Sequence, residues 1–259
     1  MDLHLKDKVI LITGGAKGIG AAIARTCSQE GAVPFIVDRD DESGRRLQTE
    51  LRATGTCGFI AVDLSTPESC SNAIAQTLQE FGRLDALVNN AGVNDKIGLE
   101  RGDPGDYVAS LHRNLVHYYS MAHYALPYLK QSQGAIVNIG SKTAVTGQGN
   151  TSGYASSKGA IMALTREWAA EMLPYKIRVN AVIPAEVMTP LYQNWLNTFP
   201  DPEPKLQAIL AKIPFEHRMT TAEEIAAMVT FLISGKSGHT TGQHIFVDGG
   251  YTHLDRALT

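Results

Sequence analysis

Three observations predict an α/β fold in which a single doubly wound, mostly parallel seven-stranded sheet carries helices on both faces. Strand-like and helix-like segments alternate along the chain, several strands read as short uninterrupted apolar runs, and glycines fall at the joints. Val9-Ile10-Leu11-Ile12 is such a run, as expected of a strand covered on both faces. Residues 19–30 are helix-like and stop at Gly31, and a second strand from Val33 to Val37 ends at Asp38. A polar helix near 42–53, a break at Gly55 and a strand near 58–62 come next. Thr66-Pro67-Glu68-Ser69 combines a hydroxyl cap, Pro at the first helical position and an acid near the positive dipole end, so it starts a helix. That helix extends to about Phe81 and stops at Gly82, and Leu84 to Val88 form the fourth strand.

A helical stretch then covers roughly 104–130, with Pro127 expected to bend or divide it. Ala135 to Ile139 read as a strand, 154–173 as a helix and Ile177 to Val182 as a strand. Two helical pieces between 190 and 213, a helix at 222–233 and a strand from His244 to Val247 close the series. No Pro/Ser-rich linker divides the chain, so residues 1–259 read as one domain with a loop insertion at about 185–218.

Composition narrows the partners. Lys and Arg number 23 against 26 Asp and Glu, a net charge of −3, which argues against nucleic acid because phosphate binding wants clustered positive charge. Cys27, Cys57 and Cys70 are odd in number and lack metal-type or CxxC spacing, which suits buried thiols in a reducing compartment. The eight histidines show neither HExxH nor paired ligand spacing, so no metal is expected. The segment Met1 to Lys8 lacks the apolar core of a signal peptide, and no apolar run nears the ~18 residues of a membrane span. The expectation is a cytoplasmic protein that binds no membrane.

The first strand runs into Thr13-Gly14-Gly15-Ala16-Lys17-Gly18-Ile19-Gly20, which opens a helix, and the next strand ends in an acid. In that context a glycine turn is a dinucleotide site of the Rossmann type. Gly14 and Gly18 would let the backbone approach a pyrophosphate at the helix N-terminus, with Ile19 beside it. Gly20 would let the helix pack close to the sheet. Asp38 would accept hydrogen bonds from an adenosine ribose and repel a 2′-phosphate, which favours NAD. Lys17 and Arg39 are both placed to meet a phosphate, which keeps NADP open.

Tyr154 and Lys158 stand four residues apart and so share a helix face. A free phenol with pKa ~10 is a poor base at neutral pH. A neighbouring ammonium and a nicotinamide cation would together lower it by about three pH units, roughly 4 kcal/mol. Ser141, thirteen residues before Tyr154, is placed to hydrogen-bond a reacting oxygen.

These residues resemble the short-chain dehydrogenase/reductase family over essentially the whole chain. The matches are Thr13-Gly14-x-x-x-Gly18-x-Gly20, Asp63 after the third strand, Asn89-Asn90-Ala91-Gly92 after the fourth, Asn114, Ser141 and Tyr154-x-x-x-Lys158. The resemblance implies direct hydride transfer between substrate carbon and nicotinamide. It makes Tyr154 the general acid/base and Ser141 the substrate-positioning group. Lys158 would hold the nicotinamide ribose, and Asn114 would support a proton-relay water. Asp63 and Leu64 would meet adenine, Asn90, Ala91 and Gly92 would flank the cofactor, and Val187 and Thr189 would hold the carboxamide. It also implies a homotetramer, although Tyr118, Tyr119, Met121, Trp168 and Met172 could equally be internal core. Whether the tail at 249–253 reaches a neighbouring site is left open.

One departure from the family pattern is Pro184-Ala185-Glu186, where Pro-Gly is usual. Ala185 restricts the backbone where Gly would be free, and Glu186 adds a carboxylate near the expected substrate. The segments expected to face the nicotinamide contain Asn94, Asp95, Gln148, Glu186, Tyr192 and Trp195, a polar set with two aromatics that suits a small hydroxyl-rich ligand. The Pro184 to Tyr192 segment and Asn94-Asp95 also resemble sugar dehydrogenases that act on L-fucose and related aldoses. That likeness implies oxidation of an anomeric hydroxyl to a lactone. A ketoacyl, steroid or other carbonyl reductase on the same scaffold and a non-catalytic NAD-binding sensor are the other readings.

Overall fold

A computed structural model describes residues 2–254. Its strands are β1 (Val9–Thr13), β2 (Val33–Asp38), β3 (Gly58–Ala61), β4 (Ala86–Asn89), β5 (Ala135–Ile139), β6 (Arg178–Pro184) and β7 (His244–Val247). All are parallel, in the order β3-β2-β1-β4-β5-β6-β7. The direction of winding reverses between β1 and β4, so a crevice opens outside their carboxyl ends, the place where such sheets bind ligands.

The helices α1 (Gly18–Gln29), α2 (Asp41–Arg52) and α3 (Pro67–Phe81) follow the first three strands. Helix α3 begins as its sequence dictates, with Thr66 and Ser69 capping each other's backbone, and ends at Gly82 in the left-handed conformation with φ +70°. Side chains of β1 alternate between the faces: Ile10 and Ile12 pack with Ile23 of α1, and Leu11 packs with the core that holds Ile74 of α3.

After β4 come α4 (Pro104–Leu111) and α5 (His117–Ser132), joined without a break by a π-helical turn at His112–Val116. Of the two expected outcomes, bending or division, Pro127 does not divide the helix; α5 continues through it to Ser132. The irregular turn lies instead at 112–116 and carries Asn114. Helix α6 (Ser152–Glu171) packs on the same face, and α7 (Pro190–Leu196), α8 (Pro202–Leu210) and α9 (Ala222–Ile233) complete the chain. Tyr118, Met121, Trp168 and Met172 are buried within this chain, whereas Tyr119 is exposed. Among the described residues no helix is long and apolar enough to cross a membrane.

A polar chain crosses the interior beneath α6. Asn89 of β4 donates to Asn138 Oδ1 at 3.0 Å, and Asn138 of β5 donates to Thr165 of α6 at 3.0 Å. Buried amides and hydroxyls demand partners, so this chain fixes α6 in register on the sheet. The Tyr154–Lys158 turn is thereby brought over the carboxyl ends of β4 and β5.

Candidate active site

A cavity of about 490 Å³ occupies the crevice. Its wall includes Gly14, Lys17, Gly18, Ile19, Asp38, Arg39, Asp63, Leu64, Asn90, Ala91 and Gly92 at one end. Ser141, Tyr154, Lys158, Val187, Thr189 and Tyr192 complete it. Side chains spread over 178 positions of sequence thus converge on one space. Asn114, Asn94, Gln148, Glu186, Trp195 and Gly20 do not form its wall.

The glycine turn is built to admit a ligand backbone-first. Gly14 adopts φ +61°, and a Cβ there would lie 2.8 Å from Ala91 Cα; Gly18 adopts φ +53° and faces Thr189. Thr13, which opens the glycine motif, locks the turn. Its hydroxyl accepts from the Asn90 and Ala91 amides at 2.9 and 3.1 Å, and the Asn90 side chain donates to the carbonyls of Thr13 and Gly14. Asn90 therefore ties β4 to the turn. Gly20 serves a different purpose from the expected helix-to-sheet contact: a Cβ there would collide with the Gly14 carbonyl oxygen.

At the end of β2, the Asp38 carboxylate accepts from the Ala16 and Asp40 amides, each at 3.0 Å. Lys17, on the cavity wall, pairs with Asp40 and holds that carboxyl down at about 2. Arg39 is exposed on the wall. A turn with two left-handed glycines and a fixed carboxylate beyond it fits a nicotinamide dinucleotide, whose pyrophosphate and adenosine ribose need those groups.

At the other end, Lys158 is buried and donates to Tyr118 Oη at 3.0 Å and the Ile139 carbonyl at 2.8 Å. Burial lowers its pKa to about 7. Its ammonium sits 5.6 Å from the centre of the Tyr154 ring. Burial raises the Tyr154 pKa above the ordinary phenol value, and a hydrogen bond with Ser141 opposes that rise. The protein's own groups do not by themselves supply the expected depression, which also draws on a nicotinamide cation. The protein's own lysine spends its hydrogen bonds on Tyr118 and Ile139, and desolvation of the phenolate dominates.

Asn114 holds the loop after β4. Its Oδ1 accepts from the Val93 amide at 2.7 Å, and its Nδ2 donates to the Ser110 carbonyl at 3.1 Å. Asn114 is thereby held rigidly at the turn, with one lone pair of its amide oxygen taken by Val93. Asp95 is likewise committed, to Ser110 and Arg113. Gln148 is exposed, and Trp195 packs edge-on against Tyr192 at 5.1 Å. Glu186 is drawn into an ion pair with Lys142. Ala185 does not require the glycine conformation, since it is not among the residues with positive φ.

His117, on the cavity wall, is a functional candidate that its sequence context did not reveal. Its Nε2 lies 3.0 Å from the Arg113 carbonyl, while buried Nδ1 has no partner. Burial, reinforced by Lys158, lowers its pKa to about 4. Because the unfolded state takes up the proton first, stability is lost as pH falls from about 6.5 to about 4, by up to roughly 3 kcal/mol. His117→Gln should flatten that part of the acid limb in thermal melts between pH 7.5 and 4. An unchanged pH dependence would show that other groups govern it.

Comparison with known proteins places these residues among relatives. A family profile described as enoyl-(acyl carrier protein) reductase matches residues 14–252. The L-fucose dehydrogenase of Oryctolagus cuniculus is 36% identical over 244 residues, covering 94% of this chain and 84% of that protein. The 3-oxoacyl-[acyl-carrier-protein] reductase of Thermotoga maritima is 34% identical over 250 residues, covering 96% and 99%. The crystal structure described as Cj0485 dehydrogenase superposes with a TM-score of 0.94 at 47% identity, covering 100% of this chain and 99% of that one.

Proposed function

The chain belongs to the short-chain dehydrogenase/reductase family and is an NAD(P)-dependent oxidoreductase, and from that premise we propose that it oxidises an L-fucose-like aldose to its lactone. The observation that carries this reading is that Tyr192 brings a phenol to the same cavity wall as Ser141 and Tyr154, with Trp195 packed behind it. The Ser141 hydroxyl and the two phenols suit the hydroxyls and the C–H face of a sugar ring. Similarity to L-fucose dehydrogenase over most of the chain supports it further.

In this reading bound NAD supplies the hydride acceptor. Tyr154 takes the proton of the anomeric hydroxyl at its phenol oxygen, and Ser141 donates a hydrogen bond to the substrate oxygen as it becomes a carbonyl. Lys158, held by Tyr118, fixes the cofactor's ribose beside them. The residues 185–218 form the substrate loop, tied at its base by the Thr220 amide to the Glu186 carbonyl at 3.1 Å. Incubation with NAD and a panel of aldoses, followed at the reduced-nicotinamide absorbance, tests it. Turnover of L-fucose, L-galactose or D-arabinose supports the reading, and turnover of none of them overturns it. Preferential reduction of a 3-oxoacyl thioester would favour the alternative to which the Thermotoga maritima relative points.

NAD is the proposed cofactor because Asp38 is fixed by two amides and Lys17 is engaged by Asp40. Asp38→Ser should lower the ratio of kcat/KM with NAD to that with NADP by about tenfold, since a removed carboxylate no longer repels a 2′-phosphate. An unchanged ratio would assign selectivity to Arg39. The proposed oligomer is a homotetramer in the cytoplasm, for which light scattering in solution gives the mass.

A further inference from the structure

Ser141 stands on the cavity wall at the start of a tightly pinned turn. Strand β5 ends at Ile139, and the Gly140 amide donates to the Val182 carbonyl of β6 at 2.8 Å. Ser141 follows in extended backbone and caps a short 3₁₀ turn at Lys142–Ala144. Its Oγ accepts from the Thr143 amide at 3.3 Å and from the Thr143 hydroxyl at 3.0 Å. The second contact is the one hydrogen bond of the Thr143 hydroxyl among the described residues. Both side chains are buried, and Thr143 itself does not form the cavity wall. The rest of the turn holds them still. The Ala144 amide donates to the Ser141 carbonyl at 3.1 Å, the Thr146 amide and hydroxyl donate to the Lys142 carbonyl, and the Lys142 side chain pairs with Glu186.

A serine hydroxyl has two lone pairs and one proton. Thr143 occupies both lone pairs of Ser141 Oγ, one with its amide and one with its hydroxyl. The proton is then the only hydrogen-bonding group that Ser141 has left to turn toward the cavity. A hydroxyl that already accepts is polarised into a stronger donor, the more so in a buried setting. We propose that Thr143 is a positioning residue that makes Ser141 an obligate hydrogen-bond donor to the reacting oxygen of the substrate. This deepens the reading above and rests on the roles proposed there for Ser141 and Tyr154, not on which alcohol or carbonyl compound is the substrate. The chemistry needs a donor at that point, because negative charge builds on the oxygen as its proton leaves for Tyr154. Without the Thr143 hydroxyl, one lone pair of Ser141 is free to take a proton from the substrate hydroxyl or from the Tyr154 phenol. The hydrogen bond would then point the wrong way at the reacting atoms.

Kinetics of purified wild type, Thr143→Val, Thr143→Ser, Ser141→Ala and Ser141→Ala combined with Thr143→Val test the inference. The probes are L-fucose with NAD and acetoacetyl-CoA with NADH, each also with deuterium at the transferred position. Thr143→Val keeps the side chain's shape and removes its hydroxyl. It is expected to lower kcat about tenfold, the worth of one hydrogen bond, with KM within about twofold of wild type. Thr143→Ser returns the donor and should recover kcat to within about threefold of wild type. The double variant should be no slower than Ser141→Ala, because Thr143 acts only through that hydroxyl. Two further readouts separate this from a loosened fold. The deuterium isotope effect on kcat should hold or rise in Thr143→Val, since the chemical step itself is slowed, and the NADH dissociation constant should not move. A gain of activity in Thr143→Val would show that its hydroxyl takes the Ser141 proton, which overturns the inference. Unchanged kcat in Thr143→Val, an equal loss in Thr143→Ser, or a further loss when Thr143→Val is added to Ser141→Ala also overturns it. The failures separate on two controls. If wild type reduces acetoacetyl-CoA and leaves L-fucose untouched, the aldose reading falls and the variants are judged on the thioester. If Ser141→Ala keeps wild-type kcat, the role of Ser141 falls and the inference with it. If Ser141→Ala loses about 100-fold in kcat and Thr143→Val loses nothing, only the inference falls.

Discussion

Tyr154→Phe is expected to lower kcat/KM on the order of 10³-fold while leaving NADH affinity and thermal stability close to wild type. The substitution removes one oxygen from a half-buried ring and nothing from the core. Proton transfer by a positioned acid or base contributes roughly 10²–10⁴-fold, so the loss appears in the chemical step. The pH profile gives a second readout. Because burial holds the Tyr154 phenol above its ordinary value, the fraction present as base in the free enzyme grows with pH through the alkaline range. Oxidation measured as kcat/KM should therefore still be rising above pH 9, and the reverse reduction should not show that rise. A plateau reached below pH 8 would mean that cofactor binding, which adds positive charge beside the ring, precedes and outweighs desolvation. Tyr154→Phe with activity near wild type would instead revive the reading of a cofactor-binding sensor.

Gly20→Ala is expected to destabilise the protein by about 2–3 kcal/mol and to abolish measurable NADH binding. Helix propensity alone gives the opposite sign, because alanine in a helix interior is favoured over glycine by about 1 kcal/mol. The added methyl would collide with the Gly14 carbonyl oxygen and press on Asn90 Nδ2 at 2.7 Å. Neither neighbour can yield cheaply. The Gly14 carbonyl accepts from Asn90, and Asn90 joins the turn to β4. Moving either one shifts the backbone that a pyrophosphate would meet. Thermal melts with and without NADH and a fluorescence titration check both parts. A variant more stable than wild type with unchanged affinity would show that the turn relaxes around the methyl.

The element boundaries were legible wherever a local rule sets them. Thr66, Pro67 and Gly82 determine both ends of α3 because capping and left-handed glycine act within a few residues. Helix α9 and strand β7 occupy the expected residues, 222–233 and 244–247. The π-helical turn was not legible. It follows from holding Asn114 between Val93 and Ser110, and Val93 is 21 residues away in sequence. Pro127 does not divide α5, because packing of Met121, Ala125 and Leu129 in the core carries the helix through.

In the site, the motif residues and the cavity wall coincide closely, because a phosphate turn, a ribose carboxylate and a Tyr–Lys helix face are each short-range patterns. The roles of Lys142, Tyr118, His117 and Thr13 escaped because they lie in partners distant in sequence. Lys142 pairs with Glu186 44 residues on, and Lys158 reaches Tyr118 40 residues back. Beside Ser141, Lys142 reads as an ordinary surface lysine.

What the sequence by itself determined is the alternating α/β series, the phosphate turn and the Tyr154–Lys158 spacing, since each depends on the backbone periodicity of a few neighbouring residues. What only the tertiary structure decided is the electrostatic state of those groups. Burial raises Tyr154 and lowers Lys158, and the fold brings Lys142 and Glu186 into an ion pair. Desolvation and pairing depend on which distant segments close over a side chain, and no local pattern records that.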